Sequence, residues 1–581
     1  MNIFRSVSNS HLPLQCYSST RTTIHRRIHG VGKRCLSNIA RKPSTAQKIG
    51  LIFSVTISSG FLINYAGYMG MLHAEAIQLP TVEESDQLQA KSLQKRGDIL
   101  SSSQIQAMNG WEYPGVYAWG NNTGRVIEDS DEPFVKTAKR IPYFDGKLFR
   151  DMKLDQNFGA AIAENGDLIQ WGKEFSSENW SPSLTLRGKD LIKLAISKDR
   201  ILALSSNGEV YSISPNQTDQ ITEPHPEKRQ WFQFWKSFSD VGYRRIEPKN
   251  LSWGEKITDI SSGMEHGLLL TSKGRVFSVA SAFSEFPSKG QLGIPDLTWK
   301  TRPTGHFDQP HEIKSLDGFE ITKIATGDYH SLVLDKAGRV FSFGDNSHGQ
   351  LGNDLNSSTS TIDVPSLLPL EKLYKGTNML QKVSNIAAGG KNSFFMIDSI
   401  RKADKSVGSS ARSTRITADT WSCGQGILGS LGNGRWTHIQ DTPTKINSLS
   451  GLFEYDEERN VTIPIRVAKL SVGATHVSAV LNNITNVQTE NKKKPANDTV
   501  WGADVLLWGG NEFYQLGTAK RSNSCQPVSI NPLDTIVSKD KVKKHRFQIM
   551  PPRKTRWNNM KSYVEQELEC GRGITAVYWK A

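Results

Sequence analysis

Acidic residues are missing from the start of this chain: none occurs before Glu75, although nine Lys/Arg fall within residues 1–48. The formal net charge of +14 is therefore concentrated at one end, and the rest of the chain is close to balanced. A basic chain of this pattern gives no argument for DNA binding. Cysteine is scarce too. Cys16, Cys35, Cys423, Cys525 and Cys570 are the whole complement, and no two have the short spacing of a metal or redox motif. That excludes a disulfide framework and a zinc ribbon. No nucleophile elbow, Walker loop, zinc spacing or dinucleotide fingerprint appears in a matching context, so the chain is expected to be non-enzymatic, with no catalytic, cofactor-binding or metal-binding residues.

What is present begins with that cationic, acid-free leader, which has the composition of a mitochondrial presequence and is assigned to residues 1–36. Arg34-Cys35-Leu36 precedes the expected cut. Residues 49–72 (IGLIFSVTISSGFLINYAGYMGML) carry no charge. As a helix rising ~1.5 Å per residue they are long enough to cross a hydrocarbon core of about 30 Å. The expectation is a single-pass protein of the mitochondrial inner membrane. Lys48 and the leader stay on the matrix side, and everything after the span lies in the intermembrane space. Residues 75–110 are polar and read as a tether.

The body, residues 111–580, is repetitive. One recurring unit is a short β-branched or aromatic strand: VYAWG (116–120), LIQWG (168–172), VYSIS (210–214), VFSVA (276–280), VFSFG (340–344), TWSCG (420–424) and LLWGG (506–510). A second unit, a Gly or polar turn followed by an apolar run, precedes most of them. GMEHGLLLTSKGR (263–275) and GDYHSLVLDKAGR (327–339) are its clearest copies, and it also occurs seven times. The NGD, NGE, KGR and AGR junctions supply the φ > 0 glycine of a tight two-strand turn. One hairpin cannot bury its face, but radial stacking can. The body opens with a lone VYAWG strand and closes with a lone GRGITAVYW strand, which together complete one unit. These counts predict an all-β fold, a seven-bladed β-propeller preceded by a presequence and one transmembrane helix.

The residues Gly327-Asp328-Tyr329-His330 through Gly344-Asp345-Asn346-Ser347-His348-Gly349-Gln350-Leu351-Gly352 resemble the regulator-of-chromosome-condensation repeat, as do the shorter tails 290–293 and 514–517. With leader and span added, the chain is similar to the fungal mitochondrial inner-membrane member of that family. That resemblance implies a scaffold or assembly factor for ubiquinol–cytochrome c reductase (complex III), whose partners are complex III subunits or assembly intermediates and inner-membrane lipid. Two other roles are weighed beside it: guanine-nucleotide exchange on a mitochondrial GTPase, and RNA or mitoribosome binding, which needs the matrix side.

His266, His330 and His476 recur at one repeat position, a full unit apart, so they cannot share a metal; a structural bond within each unit is expected. Asp345, Asn346 and Asn511 are read as turn caps. Partner specificity is expected in two insertions. One, near 215–256, carries Trp231, Phe232, Phe234 and Trp235, which suit a partner anchor or headgroup contact. The other, near 530–567, is basic. Residues 539–561 hold nine Lys/Arg and one Asp, among them Lys541, Lys543, Lys544, Arg546, Arg553, Lys554 and Arg556. That suits cardiolipin, an acidic subunit face or RNA.

Overall fold

A computed structural model describes residues 113–223, 241–353, 360–401, 416–456, 460–483, 485–487, 499–501, 503–533, 546–550, 552–557 and 560–581. The repeat unit is a four-stranded antiparallel sheet. In one unit Ile321–Thr326, His330–Asp335, Val340–Asp345 and Thr361–Leu367 pair in that order. The second and third strands are buried at every position, whereas the fourth is largely exposed. Neighbouring units cover both faces of the inner strands, which is why those strands read as continuous apolar runs rather than alternating ones. The Ala337-Gly338-Arg339 junction folds as expected. Gly338 sits at φ +88, and the Asp335 carboxylate accepts the Arg339 backbone N–H at 2.7 Å.

Four further units stand as separate sheets in the same way, begun by the inner strands Leu191–Ile196, Ile257–Ser262, Met379–Gly389 and Val467–Val472. The remaining strands do not divide into two more. Apart from two short hairpins, Phe453–Asp456/Val461–Pro464 and Thr485–Val487/Thr499–Trp501, they form one nine-stranded sheet that contains both ends of the described body. Tyr117–Asn121 pairs with Ile574–Lys580, which pairs in turn with Met560–Cys570. A parallel bridge from Phe149 to Lys580, with Ala581 N–H donating to Phe149 O at 2.9 Å, then joins this group to Phe149–Leu154, Gly159–Ala163, Leu168–Trp171 and Ser183–Leu184.

The expectation of a seven-bladed propeller behind a transmembrane helix is thereby corrected. Five blades stand as separate sheets, and the strands at both ends of the described body form a single fused sheet, because the closing strand bonds sideways to the next unit as well as to its own. No helix among the described residues is long and apolar enough to cross a membrane. The presequence 1–36, the span 49–72 and the tether 75–110 lie outside the described residues.

Antiparallel pairing gives the ring two distinct faces. Turns between first and second strands, and connections between third and fourth, share one end of every unit, here the upper face. Turns between second and third strands, and the links from one unit to the next, share the lower face.

Candidate functional site

The upper face is built around a ring of turns. Lys198 N–H donates to Met264 O at 2.9 Å, Met264 N–H to Asp328 O at 2.9 Å, and Asp328 N–H to Gly390 O at 2.7 Å. Close approach explains the repeated glycine. A Cβ on Gly263 would lie 2.3 Å from Gly327 O, and one on Gly571 would lie 2.0 Å from Leu154 O. The recurring histidines sit directly beneath. His266 Nε2 lies 2.9 Å from Ser331 Oγ, His330 Nε2 2.9 Å from Ser393 Oγ, and His476 Nε2 2.8 Å from Thr575 Oγ1. Each of these bonds crosses to the next unit, which corrects the expectation of a bond within a unit. The hydroxyls in turn donate to Gln291 O, Gln350 O and Gln515 O. Their protons are thus committed, so they accept from Nε2–H, which selects that tautomer. The histidines are fully buried, and burial holds His330 down at about 4 and His476 at about 3. They are latches between units. Asp345, Asn346 and Asn511 cap turns as read: Asn346 Oδ1 accepts Leu351 N–H at 3.0 Å, and Asn511 Oδ1 accepts Leu516 N–H at 2.9 Å.

Inside the ring of turns lies an axial cavity of about 240 Å³, lined by the inner strands of successive units. The inner strands carry a belt of cations, each facing an acid or amide of the neighbouring strand; Lys153 and Lys193 line the cavity itself. Lys193 meets Asp259, Lys323 Nζ donates to Asn385 Oδ1 at 2.8 Å, and Lys469 Nζ donates to Glu567 at 2.6 Å. Lys153 Nζ lies 2.6 Å from Glu569. Burial pushes the Glu567 carboxyl up, but Lys580 and Lys469 outweigh it and hold the group at about 2. At the mouth, Arg572 bridges Asp155 at 3.3 Å and Asp328 at 3.4 Å. Beside it, burial and the adjacent Glu285 carboxyl push Glu265 up to about 7. The belt cross-links the inner strands. Among the described residues, no group of three His, Cys, Asp or Glu could hold a metal.

The aromatic residues Trp231, Phe232, Phe234 and Trp235 lie outside the described residues, but both ends of their segment lie within them. Helix Gln217–Thr222, capped by Asn216, leads into it, and Gly242 N–H returns to Gln220 O at 2.7 Å. Arg200, only 2% exposed, fastens this base by pairing with Glu223 and donating to Ser212 O at 3.0 Å. The segment therefore leaves and re-enters the ring at one braced point of the upper face.

Lys541, Lys543 and Lys544 also lie outside the described residues. Arg546 is described, and its Nε sits 2.8 Å from Asp504. Gln548 Nε2 donates to the same carboxylate at 2.6 Å, and Phe547 N–H donates to Ile530 O at 2.8 Å. Arg546 thus belongs to the base of the basic segment. Arg553, Lys554 and Arg556 lie on strand Arg553–Trp557, which pairs with Met560–Cys570 where a loop was expected. This base is on the lower face. The described bases of the two segments, Gln217–Glu223 with Gly242 and Arg546–Gln548, lie on opposite faces of the ring. Arg200, Glu223 and Arg572 were missed by sequence reasoning. The one available signal was Arg572, the cation in the GRG copy of the turn.

Two profiles described as the regulator of chromosome condensation (RCC1) repeat match this chain, at residues 321–350 and 337–396. These segments hold the His330 latch and its Ser393 partner. The chain carries RCC1 repeats. It is 28% identical over 480 residues to the mitochondrial protein FMP25 of Saccharomyces cerevisiae, covering 78% of this chain and 72% of that one. It is 24% identical over 379 residues to the mitochondrial RCC1 domain-containing protein RUG3 of Arabidopsis thaliana, covering 63% of this chain and 72% of that one. Both relatives are mitochondrial, which supports a mitochondrial location for this RCC1-repeat chain. The crystal structure of Prp20p from Saccharomyces cerevisiae shares the fold, with a TM-score of 0.51 at 18% identity over 80% of this chain and 92% of that one.

Proposed function

We propose that this chain is a non-enzymatic mitochondrial scaffold that supports assembly of ubiquinol–cytochrome c reductase at the inner membrane. The observation that supports the reading is that the bases of two inserted segments, one aromatic and one basic in sequence, are braced on opposite faces of a latched ring. A rigid disc with two separated attachment points holds two bodies at a defined distance, and no chemistry is asked of it. The similarity to mitochondrial FMP25 supports the compartment. Deleting the gene and resolving respiratory complexes on native gels tests the reading. The expected result is loss of mature complex III with stalled intermediates, and normal complex III would overturn it.

A second reading, nucleotide exchange on a mitochondrial GTPase, draws on the shared fold with Prp20p, whose structure was described together with its binding to Gsp1p. Accelerated release of labelled nucleotide from a mitochondrial GTPase would favour it over the scaffold.

A further inference from the structure

The sheet begun by Met379–Gly389 projects on the lower face, as does the Arg553–Trp557/Met560–Cys570 hairpin of the fused sheet. Val383 stands where Ile321 stands in the preceding unit, at the same bulge of the inner strand, so Met379–Lys382 are four added residues. The next two strands lengthen to match, ending at Arg401 and starting at Ile416. Four residues at about 3.3 Å each carry this end roughly 13 Å past the body of the ring on its lower face. Among the described residues the projection is only partly covered. Leu380 pairs with Ile400, and Ile400 with Ile416, so three branched apolar side chains share one sheet face. Leu380 is 56% exposed and Ile400 39%. The adjoining hairpin Phe453–Asp456/Val461–Pro464 adds exposed Tyr455 and Val461. Exposed Lys382 and Arg401 flank the ladder.

We propose that this projecting end is a docking surface for an anionic phospholipid bilayer, through which the lower face seats on the membrane. The claim rests on the inner-membrane part of the proposed function. An interfacial element buries about 5–10 Å of apolar surface into the headgroup region, and the projection exceeds that depth. Lysine and arginine beside the ladder complement anionic headgroups. On the opposite face the mouth of the axial cavity is lined instead by Asp155 and Asp328, which Arg572 bridges. The described chain also enters the ring from the lower face, at exposed Tyr113.

The test uses the full chain in nanodiscs of phosphatidylcholine with cardiolipin. A photo-crosslinking residue is placed by Ile400→benzoylphenylalanine or, as the upper-face control, Ile427→benzoylphenylalanine; both sites are exposed. Lipid adducts are counted by mass spectrometry. The expected result is roughly a fivefold excess of lipid adducts at position 400, reduced by Leu380→Asp and in discs without cardiolipin, since apolar burial and headgroup attraction add. Equal lipid adducts at the two positions, or adducts to protein alone at position 400, would overturn the docking surface while leaving the scaffold reading intact. Failure of the chain to travel with the disc would overturn the docking surface and the inner-membrane assignment together.

Discussion

Replacing Gly327 by alanine isolates the contact that joins one unit to the next. A Cβ at this position would lie 2.0 Å from His330 Cε1 and 2.8 Å from Gly390 O. The backbone oxygen belongs to the hydrogen-bonded ring of turns, so the buried imidazole must move instead. Moving it breaks the 2.9 Å contact with Ser393. Overpacking costs about 1–3 kcal/mol, and a buried partner left unmade about 1–3 more, so the variant should lose about 2–6 kcal/mol. Against a native stability of about 5–15 kcal/mol that is a large fraction. Gly318→Ala is the control: Gly318 has φ +87 with nothing within 4 Å, so its cost is the left-handed conformation alone, about 1–2 kcal/mol. Urea unfolding followed by tryptophan fluorescence should show a much lower midpoint for Gly327→Ala than for Gly318→Ala. Ser393→Ala should cost less in the Gly327→Ala background than in the native one, since the latch is already broken. Equal midpoints for the two glycine variants, or a fully additive double variant, would refute the latch.

The histidine latches make a pH prediction as well. Burial, with His330 nearby, holds His266 at about 3, and burial holds His330 at about 4. Unfolded histidine titrates near ~6.5, so between pH ~6.5 and ~4 the unfolded chain binds protons that the native chain refuses, and stability falls by up to ~1.4 kcal/mol per pH unit per histidine. His330→Gln should flatten the fall of the urea midpoint over that window, and an unchanged slope would refute the assignment. Lys153→Met strands Glu569, its partner at 2.6 Å, and should cost about 3–5 kcal/mol, while the double change with Glu569→Leu should recover most of it. Arg200→Met leaves Glu223 unpaired at the base of the aromatic segment, and limited proteolysis should cut between Glu223 and Val241 faster than in the native protein.

Much of the fold was legible locally. The third strands Val210–Ile213, Val276–Ala280 and Val340–Asp345 lie where the β-branched and aromatic copies were read. Their glycine turns follow from φ > 0 alone. The stretch 530–567 reads in sequence as a basic insertion, yet it contains part of an innermost strand. Glu565, Glu567 and Glu569 alternate with buried Val564 and Leu568, and their charge is tolerable only because Lys469, Lys580 and Lys153 face them from other strands. The lengthened strands around Met379–Gly389 were missed for a similar reason: nothing local distinguishes an exposed apolar ladder from the core strand it extends.

What the sequence alone determined is the hairpin unit, its repetition and the complementary chain ends, because turns and strand period depend on neighbours a few residues apart. Tertiary structure decided the fused nine-stranded sheet, the direction of the histidine bonds and the separation of the bases of the two inserted segments onto opposite faces. Those features depend on groups such as His330 and Ser393, 63 residues apart, or Lys153 and Glu569, 416 apart, whose pairing exists only once the ring has closed.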